Sequence, residues 1–338
     1  MKHQTRGEFE LGVVTTLPST LGAVEYGLAA EALGFDRVAF GDTAPKLYHL
    51  AYPAITALLL QSQRVKVGPY VTNPISRHWS VHMANARAFE ELAPGRFFLG
   101  IATGDGAVHS VGLKPARLAE LRDAVVAMRQ NGMPATTPVH MTFSGPKGVE
   151  LAGEIADELT VAVGLDVPSL REFAARARAA RRAAGITEPL KIWLPVQVQF
   201  SESPDDIPML RQAAAGMTSL SARFTFASSF EGKHVPEPYQ NFIRQALKHY
   251  DFGHHASFAA NPNAALFDER PEIRDYVIDR FSLVGSPEQC AERLADVVRE
   301  AELDGVWVFP VSLTRDPADV RRKLEIAARH FADLSGGN

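Results

Sequence analysis

Short apolar runs of strand length alternate with segments of helical spacing along most of the 338-residue chain. These runs are rich in β-branched and aromatic residues, and most are bounded by Gly, Pro or Asp. They lie at residues 9–15, 37–41, 65–71, 96–102, 139–143, 158–163, 191–200 and 305–309. Continuous apolar strands that alternate with helices predict a parallel sheet covered on both faces.

The number of strand–helix units indicates whether such a sheet is open or closed into a barrel. Eight units favour a (β/α)8 barrel of the TIM type, because a closed ring leaves no edge strand. An open doubly wound sheet with a second domain is the alternative. We expect one domain over residues 1–338, interrupted by residues 201–273, which are too long for a plain loop. We therefore predict an insertion after the seventh strand, over the carboxyl ends of the strands, with helices at 206–216 and 239–250.

Charge, cysteine content and hydropathy narrow the class of protein. With 35 Lys and Arg against 39 Asp and Glu, the net charge of −4 argues against the basic surface that nucleic-acid binding requires. A single cysteine, Cys290, excludes an intramolecular disulfide bond and a cysteine-based zinc cage. The amino terminus lacks the apolar core of a signal peptide, and no apolar run reaches about 18 residues. We expect a cytoplasmic protein with no membrane span and no nucleic-acid partner.

Several familiar motifs are incomplete in this chain. Gly104–Gly106 begins like a dinucleotide-binding fingerprint, but His109 replaces the third glycine, and the motif follows the fourth strand rather than the first. His78 and His82 have the spacing of metal ligands on a helix. Trp79, however, stands where a zinc protease has its glutamate, and no third ligand is apparent. We predict no metal site.

Polar residues gather where the predicted strands end. They are Thr15 and Thr16 after the first strand, Asp42 and Thr43 after the second, residues 72–78 after the third, and Thr103 and Asp105 after the fourth. Each of them alone could cap a loop. Because the carboxyl ends of barrel strands share one face, their collection there predicts the functional site.

Ser144 and Gly145 follow the fifth strand, and Pro146 begins a helix. Free backbone N–H groups and the helix dipole at this point would favour a phosphate, and Gly164 after the sixth strand would allow its close approach. An ordinary serine-capped helix is the equal alternative. On the seventh strand, Gln197 and Gln199 share one face, where they would either line a pocket or fill a barrel layer.

Four stretches resemble the bacterial luciferase-like oxidoreductases, and within them the coenzyme F420-dependent branch similar to methylenetetrahydromethanopterin reductase. They are GFDRVAFGD (34–42), RVKVGPYVTNPISRH (64–78), ELAPGRFFLGIATGD (91–105) and SGPKGVELAGEIADELTVAVG (144–164). A weaker fifth match covers 279–294 and 305–310. The resemblance implies a TIM barrel with an insertion after the seventh strand. It also implies a flavin or deazaflavin ring in the barrel mouth.

The resemblance also implies roles for individual residues. The phosphate would lie near Ser144, Gly145 and Gly164, so that Gly164→Asp should abolish cofactor binding and leave the fold intact. The ring would lie against Tyr70, Val71 and Thr72, with a non-proline cis peptide at Tyr70-Val71. The remaining cofactor contacts expected are Asp42 at the polar edge of the ring, Thr43 and Thr103.

Asp105 corresponds to a position where relatives place an acid near the reacting centre, and it is our first candidate for the proton donor. Relatives often carry histidine where this chain has Thr43, so His49 and His78 are the next candidates. Relatives have a hairpin before the fifth strand, where this chain has only residues 132–137. The substrate of this protein therefore does not follow from the resemblance.

The resemblance implies hydride transfer between reduced coenzyme F420 and a small organic acceptor, in a homodimer. An FMN-dependent monooxygenase, which would need a flavin reductase as partner, is the alternative within the family. A cofactor-binding or accessory subunit without catalysis is the alternative from another class, because Thr43 and the missing hairpin depart from the family pattern.

Overall fold

The computed structural model describes residues 9–16, 19–42, 50–254, 261–314 and 316–334. Two of the predicted site residues, Thr43 and His49, lie outside these ranges. The strands are β1 (Glu10–Thr15), β2 (Arg37–Phe40), β3 (Lys66–Pro69), β4 (Leu99–Ile101), β5 (Val139–Phe143), β6 (Glu158–Val161), β7 (Lys191–Phe200), β8 (Ser282–Gly285) and β9 (Gly305–Pro310).

Eight of these strands form a ring of parallel neighbours. The hydrogen-bonded order is β3-β2-β1-β9-β7-β6-β5-β4. The ring closes between β3 and β4, where Val67 N donates to Arg96 O (2.7 Å) and Phe98 N donates to Val67 O (3.1 Å). The predicted (β/α)8 barrel is therefore confirmed. β8 lies outside the ring and pairs with the carboxyl half of β7, from Gln197 to Phe200.

Helices follow the strands around the ring. They are α1 (Thr20–Ala32), α2 (Ala51–Gln61), α3 (Trp79–Leu92), α4 (Asp105–His109), α5 (Leu118–Gln130), α6 (Pro146–Ile155), α7 (Val167–Ala183), α8 (Ile207–Phe226), α9 (Glu237–Ala246), α10 (Pro271–Phe281), α11 (Pro287–Glu300) and α12 (Pro317–Phe331). Local chemistry sets their starts: Ser286 and Gln289 form a capping box at α11, and Asp316 caps α12. Of the helices that the structure describes, none combines the length and apolar character needed to cross a membrane.

The predicted insertion follows β7 and is confirmed. It holds α8, α9, α10 and β8 together with short 3-10 turns at 204–206, 247–249, 252–254 and 262–265. It has an apolar cluster of its own, which includes Phe226, Ile243, Phe267, Ile273 and Phe281. Because α8 runs for 20 residues, it extends well beyond the predicted helix at 206–216. The insertion therefore carries a rigid helix rather than a loop across the barrel mouth.

A buried ionic cluster closes the amino end of the barrel. Arg37, only 1% exposed, donates to Glu158 at 2.6 and 2.7 Å and also pairs with Glu10. Its guanidinium carbon lies 4.6 Å from the Trp193 ring centroid. Burial opposes the ionisation of Glu158, but Arg37 and His140 outweigh it and hold the pKa of this carboxyl below its usual range. The charges are thus paired inside the protein rather than solvated.

His140 extends this cluster towards the barrel centre. Its Nδ1 lies 2.8 Å from Glu158 Oε2, and its Nε2 lies 2.6 Å from Thr160 Oγ1 and 3.2 Å from Trp307 Nε1. Burial lowers the pKa of His140, so the ring is neutral. Because the indole N–H only donates and the carboxylate only accepts, the proton resides on Nδ1.

Candidate functional site

A cavity of about 550 Å³ opens at the carboxyl ends of the strands. This size is typical of a site for a cofactor or a drug-sized ligand. Its barrel side is lined by Val14, Tyr70, Val71 and Phe309, and the polar groups on it include Thr15, Thr103, Asp105, Ser144 and Gln197. Residues of α8 form the opposite wall: Met217, Leu220, Ser221, Arg223, Phe224 and Thr225.

The segment after β3 forms part of the apolar side of the cavity. The Tyr70-Val71 peptide bond is cis, as the resemblance implied, and both residues line the cavity. The Tyr70 ring packs against Trp307 and Phe309, with centroids 5.5 and 5.7 Å apart. Burial raises the pKa of the Tyr70 phenol, so it stays protonated. Thr72, fully buried, lies behind this surface and does not line the cavity.

Asp42 lies behind the same segment, bonded to an arginine. Its two carboxylate oxygens accept from Arg77 Nη1 and Nη2 at 2.6 and 2.8 Å, and Arg77 Nη1 also donates to Thr72 Oγ1 at 2.9 Å. Asp42 is 2% exposed and is not among the cavity-lining residues. In this structure its carboxylate holds Arg77, and Arg77 holds the Tyr70–Thr72 segment.

The two histidines with metal-like spacing have separate surroundings. His78 is exposed; it caps α3 through Ser80 and does not line the cavity. His82 is fully buried, with Nδ1 2.5 Å from the Tyr52 hydroxyl and Nε2 3.0 Å from Asn73 O. Because a carbonyl only accepts, Nε2 carries the proton, and burial lowers the pKa of His82 to about 4. Within the described ranges, no three His, Cys, Asp or Glu side chains are grouped as a metal site would require.

Asp105 and Thr103 are the predicted site residues at the end of β4, and both line the cavity. Asp105 begins α4, and its Oδ1 lies 3.2 Å from Nε2 of His109, one helical turn later. The His109 ring packs against Phe252 of the insertion, with centroids 5.2 Å apart. Asp105 therefore faces the cavity, and the solvent-exposed His109 lies beside it.

Ser144 lines the cavity, but it is not a helix cap. Gly145 is the N-cap of α6, and Ser144 Oγ instead donates to Phe224 O at 2.8 Å. The alternative of a serine-capped helix is therefore wrong. Thr225 Oγ1 donates to Ala162 O at 2.8 Å in a parallel contact, so that two hydroxyls bind the end of α8 to the ends of β5 and β6. A Cβ atom at Gly145 would meet no atom within 4 Å, which leaves open space at the start of α6.

Gly164 lines the cavity, but its neighbours alone already require glycine. Its φ is +81°, and a Cβ atom there would lie 2.3 Å from Arg280 O. Leu165 N donates to that carbonyl at 2.7 Å, so the approach belongs to the packing of α10 against the end of β6. The expectation that Gly164→Asp leaves the fold intact is therefore wrong.

Both glutamines of β7 contact α8, so they share one face as predicted, but only Gln197 lines the cavity. Gln197 lines the cavity, and its Nε2 donates to Met217 O at 3.2 Å. Gln199 is 1% exposed and lies away from the cavity, where its amide bonds the backbone of α8 at Leu210 and Ala214. Sequence reasoning missed the α8 wall and His109. The signal for His109 was its spacing of four residues from Asp105, whereas α8 offered only an amphipathic pattern.

A closed eight-stranded barrel with a ligand-sized cavity on its catalytic face defines the class. The family model of the luciferase-like monooxygenases matches residues 9–305, and the chain belongs to that family. The 5,10-methylenetetrahydromethanopterin reductase of Methanolobus tindarius is 24% identical over 305 residues, which are 82% of this chain and 87% of that protein. These matches confirm the resemblance to the luciferase-like oxidoreductases and show similarity to a methylenetetrahydromethanopterin reductase.

Solved structures agree on the fold. The coenzyme F420-dependent tetrahydromethanopterin reductase of Methanopyrus kandleri superposes with a TM-score of 0.72 at 17% identity, over 96% of this chain and 99% of that one. The oxygenating constituent of 3,6-diketocamphane monooxygenase from Pseudomonas putida, in complex with FMN, superposes with a TM-score of 0.66 at 17% identity, over 96% and 98%. Relatives with this fold therefore include proteins described with either cofactor.

Proposed function

We propose that this protein is an oxidoreductase that transfers a hydride between reduced coenzyme F420 and a small organic molecule. The cavity is the observation that carries the proposal, because its lining includes the ring-contact candidates Tyr70 and Val71, the phosphate candidate Ser144 and the acid candidate Asp105. The similarity to a methylenetetrahydromethanopterin reductase over 82% of the chain supports F420 as the cofactor.

The residues present fit a planar tricyclic ring with a phosphate-bearing tail. Tyr70, Val71 and Phe309 give the cavity an apolar side against which a flat ring can pack. Next to the cavity-lining Ser144, Gly145 does not itself line the cavity, but it leaves open space before the first turn of α6. Free N–H groups and the positive end of the helix dipole there favour an anion. We propose Ser144, Gly145 and Gly164 as the surroundings of the phosphate.

When bound, the deazaflavin supplies the hydride chemistry. The protein's part is to orient and to exclude water. The Asp42–Arg77 pair supports the Tyr70-Val71 segment from behind, and α8 covers the opposite side of the cavity. Asp105 is the proposed proton donor, and His109 Nε2, 3.2 Å from its carboxylate, exchanges protons with it from the solvent side.

Cofactor titration tests the proposal and separates its alternatives. Purified protein is titrated with oxidised and reduced F420 and with FMN, and the change in cofactor fluorescence is followed. Tight binding of F420 and weak binding of FMN is the expected result. Preference for FMN would replace the proposal by a monooxygenase with a flavin reductase partner, and binding of neither would favour an accessory subunit. Sedimentation of the same samples tests the homodimer that belongs to the proposal.

A further inference from the structure

Arg223 is an arginine at the cavity wall to which the described residues offer no carboxylate partner. Arg223 lies in the last turn of α8, is half-buried and lines the cavity. Within the described part of the chain, no Asp or Glu lies at ion-pair distance from it. Arg211 on the same helix differs, because it donates to Asp279 at 2.6 Å and to Asp275 at 3.1 Å.

An aromatic ring holds the Arg223 side chain in place. Its guanidinium carbon lies 5.2 Å from the centroid of Phe252, in the 3-10 turn of the insertion. The same ring contacts His109, whose Nε2 is bonded to Asp105. Phe252 thus places Arg223 on the side of the mouth where Asp105 lies. Ser144 Oγ donates to the backbone carbonyl of Phe224, the residue after Arg223, so the cofactor phosphate is the competing occupant that the experiment has to separate.

We propose that Arg223 binds the carboxylate or phosphate group of the substrate, so that the substrate is an organic anion. This proposal rests on the proposed function, since it names the substrate class of the same site. A guanidinium presents paired N–H donors that match the two oxygens of a carboxylate or phosphate. The anion would lie at the wall of the cavity beside Phe252, which leaves the apolar part of the substrate to reach the space in front of Asp105.

The test compares two probes of equal shape and different charge. Benzoate and benzamide are titrated into the cofactor-free protein by calorimetry, for the wild type and for Arg223→Gln, Arg223→Lys and Arg211→Gln. We expect the wild type to prefer benzoate by about tenfold, which is typical of a charge-assisted hydrogen-bonded contact. Arg223→Gln should abolish the preference, Arg223→Lys should keep part of it, and Arg211→Gln, which removes an equal charge from the same helix, should keep all of it.

A second arm identifies the source of the anion. The bound cofactor, F420 or FMN, and its phosphate-free analogue are titrated into the wild type and Arg223→Gln. An unchanged preference for the phosphate-bearing cofactor is expected. A loss confined to that cofactor would overturn the proposal, because Arg223 would then bind the cofactor phosphate. Equal or absent binding of the two benzoyl probes to the wild type would also overturn it. Because these probes bind without cofactor, failure of the proposed function is seen separately, in the cofactor titration.

Discussion

Arginine–carboxylate pairs occur at both ends of the barrel, and the two ends use them differently. At the amino end, the two terminal nitrogens of Arg37 pair with Glu158 and Glu10, and Arg37 is almost fully buried. Beyond the carboxyl ends, Asp42 and Arg77 form one satisfied pair, but Arg223 and Asp105 face a cavity. The same residue types therefore hold the fold where they pair with one another inside the barrel, and they face a ligand-sized cavity at the other end.

Glu158→Gln should have the largest effect, and it acts on stability. Breaking a buried ion pair leaves an uncompensated charge, so we expect a loss of about 3–5 kcal/mol in the free energy of unfolding. Urea unfolding measures it. Glu154→Gln is the matched control, since its pair with Arg122 is partly exposed and should contribute less than about 1 kcal/mol. Equal losses in the two variants would mean that the amino-end cluster does not hold the fold.

The histidine behind the cavity predicts a pH dependence of stability. Burial lowers the folded-state pKa of His82 to about 4, below the value of about 6.5 in an unfolded chain. The unfolded state therefore binds the proton first, so stability is full above pH 6.5 and is lost as the pH falls towards 4. The total is about 3 kcal/mol. His82→Gln should remove this part of the pH dependence, as measured by urea unfolding at pH 7 and pH 4.5.

A control separates His82 from the other titrating groups. His254, an exposed partner of Asp251, is replaced by Gln in a second variant. Loss of this surface pair acts through the lowered pKa of Asp251, below the range compared, so we expect the wild-type slope between pH 7 and pH 4.5. If His82→Gln keeps the wild-type slope, then His82 is not held neutral by burial, and the support behind the Tyr70–Thr72 segment is weaker than the geometry implies.

Asp105→Asn tests the carboxyl end of the barrel, where Asp105 lines the cavity. Turnover is measured with reduced F420 and an organic acceptor that the wild type reduces. It should fall by about 10- to 100-fold, because an amide cannot supply the proton. The affinity for the cofactor should change little. Asp251→Asn is the control, because Asp251 pairs with His254 in the same way but does not line the cavity. Full activity of Asp105→Asn would exclude Asp105 as the donor and make its partner His109 the next candidate.

Local sequence signals predicted most of the barrel strands. They did not predict most of the contacts that hold the residues of the candidate site in place. Apolar runs of strand length predicted the eight ring strands. The four-residue strand β8 was missed, because it follows α10 directly without a turn signal. Strand periodicity could not reveal it.

The residues of the site were predicted better than their contacts. Asp105, Thr103, Tyr70, Val71 and Ser144 all line the cavity. Their supporting contacts join distant parts of the chain: Asp42 bonds Arg77, 35 residues later, and Ser144 bonds Phe224, 80 residues later. Such partners are set by tertiary packing, and no pattern within one segment contains them.

Ser144→Ala should have the smallest effect, and it asks whether a hydroxyl already bonded to the protein still serves a ligand. Loss of the bond to Phe224 O should cost about 1 kcal/mol of stability. If Ser144 also contacts the phosphate, the bound cofactor should bind about three- to tenfold more weakly, while its phosphate-free analogue binds as before. Equal weakening of the two ligands would mean that Ser144 acts only by holding α8. The Ser144 hydrogen bond would then be purely structural, like the ion pairs at the amino end of the barrel. The phosphate would be bound by the backbone N–H groups at the start of α6.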